Sequence, residues 1–368
     1  MSRKEIIAGI SVFVATIIIV AAGIALYSNK QAAGKGSAVT GSIEYWTEGS
    51  APAQSIIDFV AAVSDKDSGR YIPPEKRIAV FDVDGTLIGE LFPTYFDQCL
   101  MMYRLLHDDK CTYQAPQEDI GFVKALEYAL LHGEKEPDSP RSTAQITAES
   151  FKGCTVDEYR AYICDFMTKP VNGFEGMTYG EAFYKPMVGL VKYLSEHDFQ
   201  VFIVSGGERI MLQELLRDTL GKWVPSSRMI GSTAALAATG QGDTAARNYT
   251  YTAEDNVIMD GNITFKDVKM NKVVSIVNEI GEYPVLAFGN SSGDLAMGQY
   301  TVQHGGQAYM LLCDDTERDY GRPDVAEKFR SDCDMPGFYT VSMKNDFATI
   351  YGDNVVKTSF SEELVPAA

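Results

Sequence analysis

The sequence predicts an α/β protein built on a doubly wound, Rossmann-like parallel sheet. Three short apolar runs, at 78–81, 201–204 and 285–288, contain no alternating polar residues. Continuous apolar runs of this length are typical of strands that are covered on both faces. Each run is accompanied by a segment with apolar residues at helical spacing. Strands that alternate with helices in this way indicate a parallel sheet with helices on both sides.

The helices and one hairpin follow from local patterns along the chain. Apolar spacing predicts a helix over 56–63, before the first strand, and helices over 187–194 and 273–280, before the second and third strands. Between the second and third strands, Asp260-Gly261 separates two short apolar runs. An Asp-Gly pair in that position predicts the turn of a β-hairpin.

A long insertion follows the first strand. Residues 90–184 are too many for a loop without structure of its own, and they carry helical patterns over 122–131 and 156–167. We therefore predict a helical cap over 90–184. The catalytic core would comprise residues 45–89 and 185–368.

The N-terminal segment 6–27 has no charged residue and follows Arg3 and Lys4. As a helix it would span about 33 Å, enough for a hydrocarbon core of about 30 Å. The basic flank predicts that residues 1–5 stay in the cytoplasm. We expect a transmembrane anchor over 6–27 and a flexible linker over 28–44. The rest of the chain would then lie outside the cell, at the cell membrane. A cleaved signal peptide, which would leave the protein secreted, is the alternative.

Export would place the six cysteines in an oxidising compartment, where an even number predicts disulfides. Cys313 and Cys333 form the natural late pair. The four earlier cysteines allow three connectivities, and Cys154–Cys164 is the preferred close pair. Six reduced thiols are the alternative.

Composition excludes several classes of function. Lys and Arg number 32 and Asp and Glu number 50, so the formal net charge is −18. A chain this acidic repels the phosphate backbone of nucleic acids, which excludes them as partners. The four histidines and six cysteines show no zinc-binding spacing. We therefore expect the chemistry to rest on carboxylates. The charge does not predict the oligomeric state.

Two carboxylates, Asp82 and Asp84, directly follow the first predicted strand. Residues two apart on an extended chain point the same way, and two such carboxylates repel each other unless a cation lies between them. Mg²⁺ favours oxygen ligands and phosphate partners. One carboxylate can then attack phosphorus while the other moves a proton. Polar residues also follow the other two strands, and the carboxyl ends of parallel strands are where ligands bind.

These motifs resemble those of the haloacid dehalogenase superfamily of phosphohydrolases. Residues 81–87 are similar to its first motif, 205–206 to its second, and 289–294 to its fourth. Lys272, at the start of a predicted helix, is similar to its third motif. Similarity to the phosphoserine-phosphatase-like branch of exported bacterial hydrolases extends over about 45–352.

The resemblance implies roles for the acidic residues. Asp82 would be the nucleophile, and Asp84 would protonate the leaving group and then activate water. The cofactor would be Mg²⁺, held by Asp82, Asp84, Asn290 and Asp294. The family usually has Asp at the position of Asn290, so this departure would lower the affinity for the metal. Glu90 lies where related phosphatases have an acidic residue facing the cap, and it is a candidate substrate contact. A solvated glutamate on the surface is the alternative.

The resemblance also implies a phosphate-binding group. Ser205 and the amide of Gly206 would bind phosphate oxygens, and Lys272 would neutralise the charge on the phosphoryl group. Lys266 and Lys269 are weaker candidates for that role, because Lys272 directly precedes the apolar helix.

The predicted function is hydrolysis of small phosphate monoesters, such as phosphoserine-like metabolites, through an aspartyl-phosphate. Two alternatives stay open. A phosphotransferase or phosphomutase would pass the same phosphoryl group to another acceptor, and a surface binding protein would keep the fold without catalysis.

Overall fold

A computed structural model describes residues 41–90 and 93–365. The predicted cytoplasmic end 1–5, the anchor or signal 6–27 and most of the linker 28–44 lie outside these residues. Within the described part of the chain, no helix is both long enough and apolar enough to cross a membrane. Residues from Ser42 onwards form one compact unit.

Seven strands form the central sheet, in the order β5-β4-β3-β1-β6-β7-β8, and two short strands, β2 and β9, form a separate pair. Every neighbouring pair in the large sheet is parallel except β4 and β5. The strands are β1 (Ile78–Phe81), β2 (Phe174–Glu175), β3 (Gln200–Glu208), β4 (Met229–Ala238), β5 (Val257–Phe265), β6 (Leu286–Gly289), β7 (Gln307–Leu312), β8 (Phe338–Ser342) and β9 (Val356–Lys357).

Helices cover the sheet and build the insertion. The apolar spacing predicts helices over 56–63, 187–194 and 273–280, and all three segments are helical. The helices are α1 (Ala51–Ser64), α2 (Phe96–Met102), α3 (Gln117–His132), α4 (Thr143–Ser150), α5 (Val156–Met167), α6 (Lys185–Glu196), α7 (Arg209–Leu220), α8 (Met270–Ser275), α9 (Leu295–Gln303), α10 (Pro323–Asp332) and α11 (Met343–Asp346). One π-helical segment, Tyr103–His107, extends α2, and another, Ile276–Ile280, extends α8.

The core lies on both faces of the sheet. Alternate residues of β1 belong to two different apolar clusters, Ala79 and Phe81 to one and Ile78 and Val80 to the other. Successive side chains of a strand point to opposite faces, so each cluster fills one face. This double burial explains the unbroken apolar run of β1. The predicted α/β fold with a mainly parallel sheet is confirmed.

The predicted turn at Asp260-Gly261 is wrong, because β5 runs straight through both residues and pairs with β4 instead. Between Ala234 and Leu236 of β4, β5 advances from Ile263 to Met259, so β5 carries two extra residues. Gly261 has a φ of +89°, which is common in bulges. The Asp-Gly pair therefore forms a bulge and not a turn.

The insertion contributes α2 to α5 and is joined to the core along β5. The amide of Gly153 donates to the Met259 carbonyl, and the amide of Met259 donates to the Cys154 carbonyl, both at 2.8 Å. The side chain of Gln145 also accepts from the Ile263 amide at 3.1 Å. The insertion thus adds a short strand-like segment to the edge of the sheet. Its predicted boundaries, 90 and 184, stay a prediction.

All six cysteines are free thiols, so the predicted pairs Cys313–Cys333 and Cys154–Cys164 are wrong. Cys333 belongs to the apolar cluster on one face of the sheet, whereas Cys313 packs against the cluster on the other face. The sheet therefore separates them. The Sγ of Cys164 lies 3.6 Å from Glu214 Oε2, so it faces a carboxylate on α7.

Candidate active site

The turn after β1 places two carboxylates at the carboxyl edge of the sheet. The amide of Asp82 donates to the Phe288 carbonyl on β6 at 3.0 Å, which continues the sheet pairing to the start of the turn. Gly85 has a φ of +72°, and a Cβ there would lie 2.0 Å from Asn290 Nδ2. Only glycine allows the first and fourth motif-like segments to approach this closely.

A buried lysine lies between two carboxylates. Lys272, on the first turn of α8, places its Nζ 2.6 Å from Asp82 Oδ1 and 2.6 Å from Asp294 Oδ1. Burial opposes the charge of Lys272, but Asp294 and Asp82 outweigh it and raise its pKa. Burial and the charge of Asp294 raise the pKa of Asp82 to about 7, although Lys272 acts in the opposite direction. The nucleophile candidate is therefore held directly by the lysine.

Asp294 also shapes the loop after β6. Its Oδ2 accepts hydrogen bonds from the amides of Asn290 and Ser291, at 3.1 and 3.0 Å. The side chain of Asn290 donates through Nδ2 to Glu90 Oε2 at 2.6 Å and accepts through Oδ1 from the Thr86 hydroxyl at 3.2 Å. Asn290 thus links the core to the beginning of the insertion.

A cavity of about 280 Å³ opens over these residues. Its lining contains more negative than positive groups, with five carboxylates and two lysines. Residues of the insertion form one side of it. The charged residues of the lining are Asp82, Asp84, Glu90, Asp97, Asp294, Lys266 and Lys272, and the uncharged residues that the insertion contributes are Tyr95, Gln98 and Thr143.

This crowding of carboxylates affects their ionisation. Burial raises the pKa of Asp84 well above its usual value, and the nearby charges of Asp97 and Asp82 add to the rise. Burial also raises the pKa of Asp97 and of Glu90. The cavity therefore disfavours further negative charge unless a cation accompanies it.

The loop at the end of β3 supplies backbone groups to the cavity. Gly206 and Gly207 line it, whereas Ser205 lies behind them with its side chain fully buried. The Oγ of Ser205 accepts from the Gly207 amide at 3.2 Å. The Gly206 carbonyl accepts from Lys266 Nζ at 2.8 Å and from Ser232 Oγ at 2.7 Å. These contacts fix the orientation of the peptide that would face a phosphate.

The structure brings together the predicted residues Asp82, Asp84, Gly206 and Lys272. It also places Asn290, Asp294 and Glu90 at the same cavity. The sequence analysis missed Ser232 and ranked Lys266 only as a weaker candidate than Lys272, although Lys266 also lines the cavity. Neither belongs to a motif, and no spacing indicates that both reach one carbonyl. Lys269, the other candidate, has an exposed side chain.

The residues at the cavity fit a hard divalent cation. Carboxylate and amide oxygens of Asp82, Asp84, Asn290 and Asp294 are the ligands that Mg²⁺ prefers, and five carboxylates against two lysines leave the lining with an excess of acidic groups. Among the described residues, no three His, Cys, Asp or Glu side chains are grouped as a metal site. The individual ligands therefore remain a prediction.

Three solved structures are similar to parts of this chain. A functionally unknown protein from Anaerococcus prevotii DSM 20548 is 15% identical with a TM-score of 0.46, over 78% of this chain and 91% of that one. A protein of unknown function from Bordetella pertussis Tohama I is 13% identical with a TM-score of 0.45, over 72% and 98%. A phosphoserine phosphohydrolase-like protein from Francisella tularensis is 15% identical with a TM-score of 0.35, over 64% and 87%.

At these TM-scores the structural similarities do not contribute to a family assignment. No curated protein matches the sequence. The family model described as haloacid dehalogenase-like hydrolase matches residues 79–299, which is more than half of the chain. The matched range runs from β1 into α9. It contains every residue that lines the cavity, from Asp82 to Asp294. The chain therefore belongs to the haloacid dehalogenase-like hydrolases.

Proposed function

We propose that the protein is a Mg²⁺-dependent phosphatase that hydrolyses small phosphate monoesters through a phosphorylated Asp82. One observation carries the proposal: the Asp82 carboxylate lines the cavity while buried Lys272 holds its Oδ1 at 2.6 Å. A carboxylate fixed in this way presents its other oxygen in one orientation. Phosphoryl transfer depends mainly on positioning and on charge stabilisation.

Each step uses a group at the cavity. An Asp82 oxygen attacks phosphorus as the bond from phosphorus to the leaving oxygen breaks, and Asp84 donates a proton to that oxygen. Water then attacks the phosphorus of the acyl phosphate. Asp84 takes up the proton of that water, the bond to Asp82 breaks, and inorganic phosphate leaves.

The phosphate must enter a cavity that is already acidic. Lys272 and Lys266 supply two positive charges, and the amide of Gly206 would supply a neutral donor. Asp82, Asp84, Asn290 and Asp294 would hold Mg²⁺, which provides the positive charge that an anionic ester needs here. These groups favour the charge that develops on the phosphoryl oxygens.

The size of the cavity favours a small substrate. A volume of about 280 Å³ lies near the lower limit of about 300–1,000 Å³ for small-molecule sites. The insertion covers one side of the cavity, which suits a small soluble ester better than a phosphoprotein. We propose metabolite esters, including phosphoserine-like ones, as substrates. An N-terminal anchor or signal over 6–27 would place this activity outside the cytoplasm.

A phosphate-release screen tests the proposal. Wild type should release phosphate from at least one metabolite ester in Mg²⁺, and chelation of the metal should stop it. Asp82→Asn should abolish release, whereas Asp353→Asn, an exposed control, should retain it. Glycerol added as an alternative acceptor should not lower phosphate release, because water and not the alcohol takes up the phosphoryl group. No release from any ester by folded, Mg²⁺-loaded wild type would disprove the proposed function.

A further inference from the structure

A second cavity, of about 270 Å³, adjoins the first. Glu90, Asn290 and Ser291 line both cavities. The second cavity lies between the loop after β6, the end of β7 and the helix α10. Together the two volumes fall within the range of about 300–1,000 Å³ that small-molecule sites occupy. The organic part of an ester bound by its phosphate in the first cavity would therefore reach the second by passing the side chains of Glu90 and Asn290.

The floor of the second cavity is apolar. Leu311 and Leu312 at the end of β7 are fully buried beneath it, and Ala326 and Phe329 of α10 form its side. Val325, also on α10, lines the cavity with 46% of its surface exposed. A ligand that covered this valine would remove apolar surface from water, which favours binding.

The rim of the second cavity carries two cations without a partner. Arg322 and Lys328 line it, and neither side chain makes a hydrogen bond or a salt bridge within residues 41–90 and 93–365. Both side chains are exposed, so they can contact a ligand that binds at the rim. Arg322 shares the lining of the second cavity with Glu90, which also lines the first cavity. Its guanidinium therefore acts at the junction of the two cavities.

We propose that the second cavity binds the organic part of the phosphate ester, and that Arg322 binds an anionic group on it. The substrate class is a phosphate monoester with an apolar or aromatic alcohol part that carries a carboxylate or a second phosphate. Arginine binds either group through paired N–H donors. This inference rests on the proposed function, since it assigns the leaving-group side of the same site.

Four esters separate the contributions of the second cavity. Phenyl phosphate tests the apolar floor, and 3-carboxyphenyl phosphate and benzene-1,3-diyl bisphosphate add the two kinds of anion. Glycerol phosphate lacks an apolar part. With wild type we expect kcat/KM for the better anionic ester to exceed that for phenyl phosphate roughly tenfold or more, as for a hydrogen bond between charged groups.

Two variants and one control complete the experiment. Arg322→Gln should reduce kcat/KM roughly tenfold more for an anionic ester than for phenyl phosphate. Val325→Trp, at an exposed position that tolerates a larger side chain, should lower kcat/KM for all phenyl esters more than for glycerol phosphate. Arg330→Gln is the control, because Arg330 lies on the same helix, pairs with Glu327 and does not line the cavity.

The outcomes separate this inference from the proposed function. The anionic ester that loses most in Arg322→Gln identifies the anion as carboxylate or phosphate. If wild type hydrolyses phenyl phosphate but Arg322→Gln affects all esters equally, the second cavity is not the leaving-group site, and phosphatase activity still stands. If wild type hydrolyses none of the four esters or any other, the proposed function fails and this inference fails with it.

Discussion

Replacing Lys272 with methionine should destabilise the fold as well as the activity. Lys272, Asp82 and Asp294 are 2%, 7% and 1% exposed, and the lysine makes both ion pairs at 2.6 Å. Methionine has similar length but no charge, so the variant leaves two carboxylates buried beside each other. Removing one partner of a buried ion pair typically costs about 3–5 kcal/mol. We expect a loss of at least that order in the free energy of unfolding.

The measurement is denaturant unfolding with a chelator present, so that no divalent cation replaces the lost charge. Lys269→Met is a matched control, because Lys269 is three residues away and its side chain is exposed. An exposed substitution of this kind should change stability by no more than about 0.5 kcal/mol. Activity of the Lys272 variant is then measured where it is still folded, with an expected loss of roughly 10²–10³ in turnover.

A loss below about 1 kcal/mol for Lys272→Met would refute this reasoning. It would mean that the two carboxylates share a proton or reach water in the variant, and that the lysine does not support the fold. A loss of activity without a loss of stability would then assign Lys272 to chemistry alone.

Three further predictions concern single side chains. Ser232→Ala removes a donor to the Gly206 carbonyl at 2.7 Å, so kcat/KM should fall about 2- to 10-fold while Ser232→Thr retains more activity; an unaltered value in steady-state kinetics would contradict the positioning role. Burial raises the pKa of Asp319 to about 6, so its stabilising contribution is complete below about pH 4 and is lost as the pH rises past 6. Relative to wild type, Asp319→Asn should therefore gain up to about 3 kcal/mol of unfolding free energy between pH 4 and 7, and a pH-independent difference in urea titrations would speak against it. Asn290→Asp replaces the donor to Glu90 at 2.6 Å with a second carboxylate, so the free energy of unfolding should fall by about 1–3 kcal/mol without Mg²⁺ and by less with it. If Mg²⁺ does not change the stability of this variant, position 290 is not a metal ligand.

The strands could be predicted because double burial leaves a local signal. Residues 78–81 are all buried, and an apolar run without alternation is what such a strand requires. The run 308–312 is also apolar without alternation and forms most of β7, so the same argument could have found it. The apolar pattern that marks each of these strands lies within the strand itself and does not depend on distant residues.

The antiparallel strand β5 shows where local signals fail. An Asp-Gly pair suits both a hairpin turn and a bulge, because glycine supplies the positive φ that each needs. The choice between them depends on the pairing with β4, which lies more than twenty residues earlier in the chain. No pattern within 257–265 carries that information.

The same distinction holds for the candidate site. Asp82, Asp84 and Asn290 follow strands, so sheet topology brings them to one edge. Ser232 and Lys266 both donate to one carbonyl oxygen, on Gly206, and no residue spacing in the sequence indicates a contact of that kind. The disulfide prediction was wrong for a related reason, because it requires knowing the face of the sheet on which each cysteine lies.

The seam between Gly153-Cys154 and Met259 has a consequence for how the protein can be handled. The outer edge of β5 would otherwise expose free backbone donors and acceptors, which recruit strands from other molecules. The insertion pairs with that edge, so a truncated form without the insertion should self-associate even if its hydrophobic core stayed intact. For the same reason the two parts should unfold in one transition, and trimming the chain to a minimal catalytic body would expose that edge to other molecules.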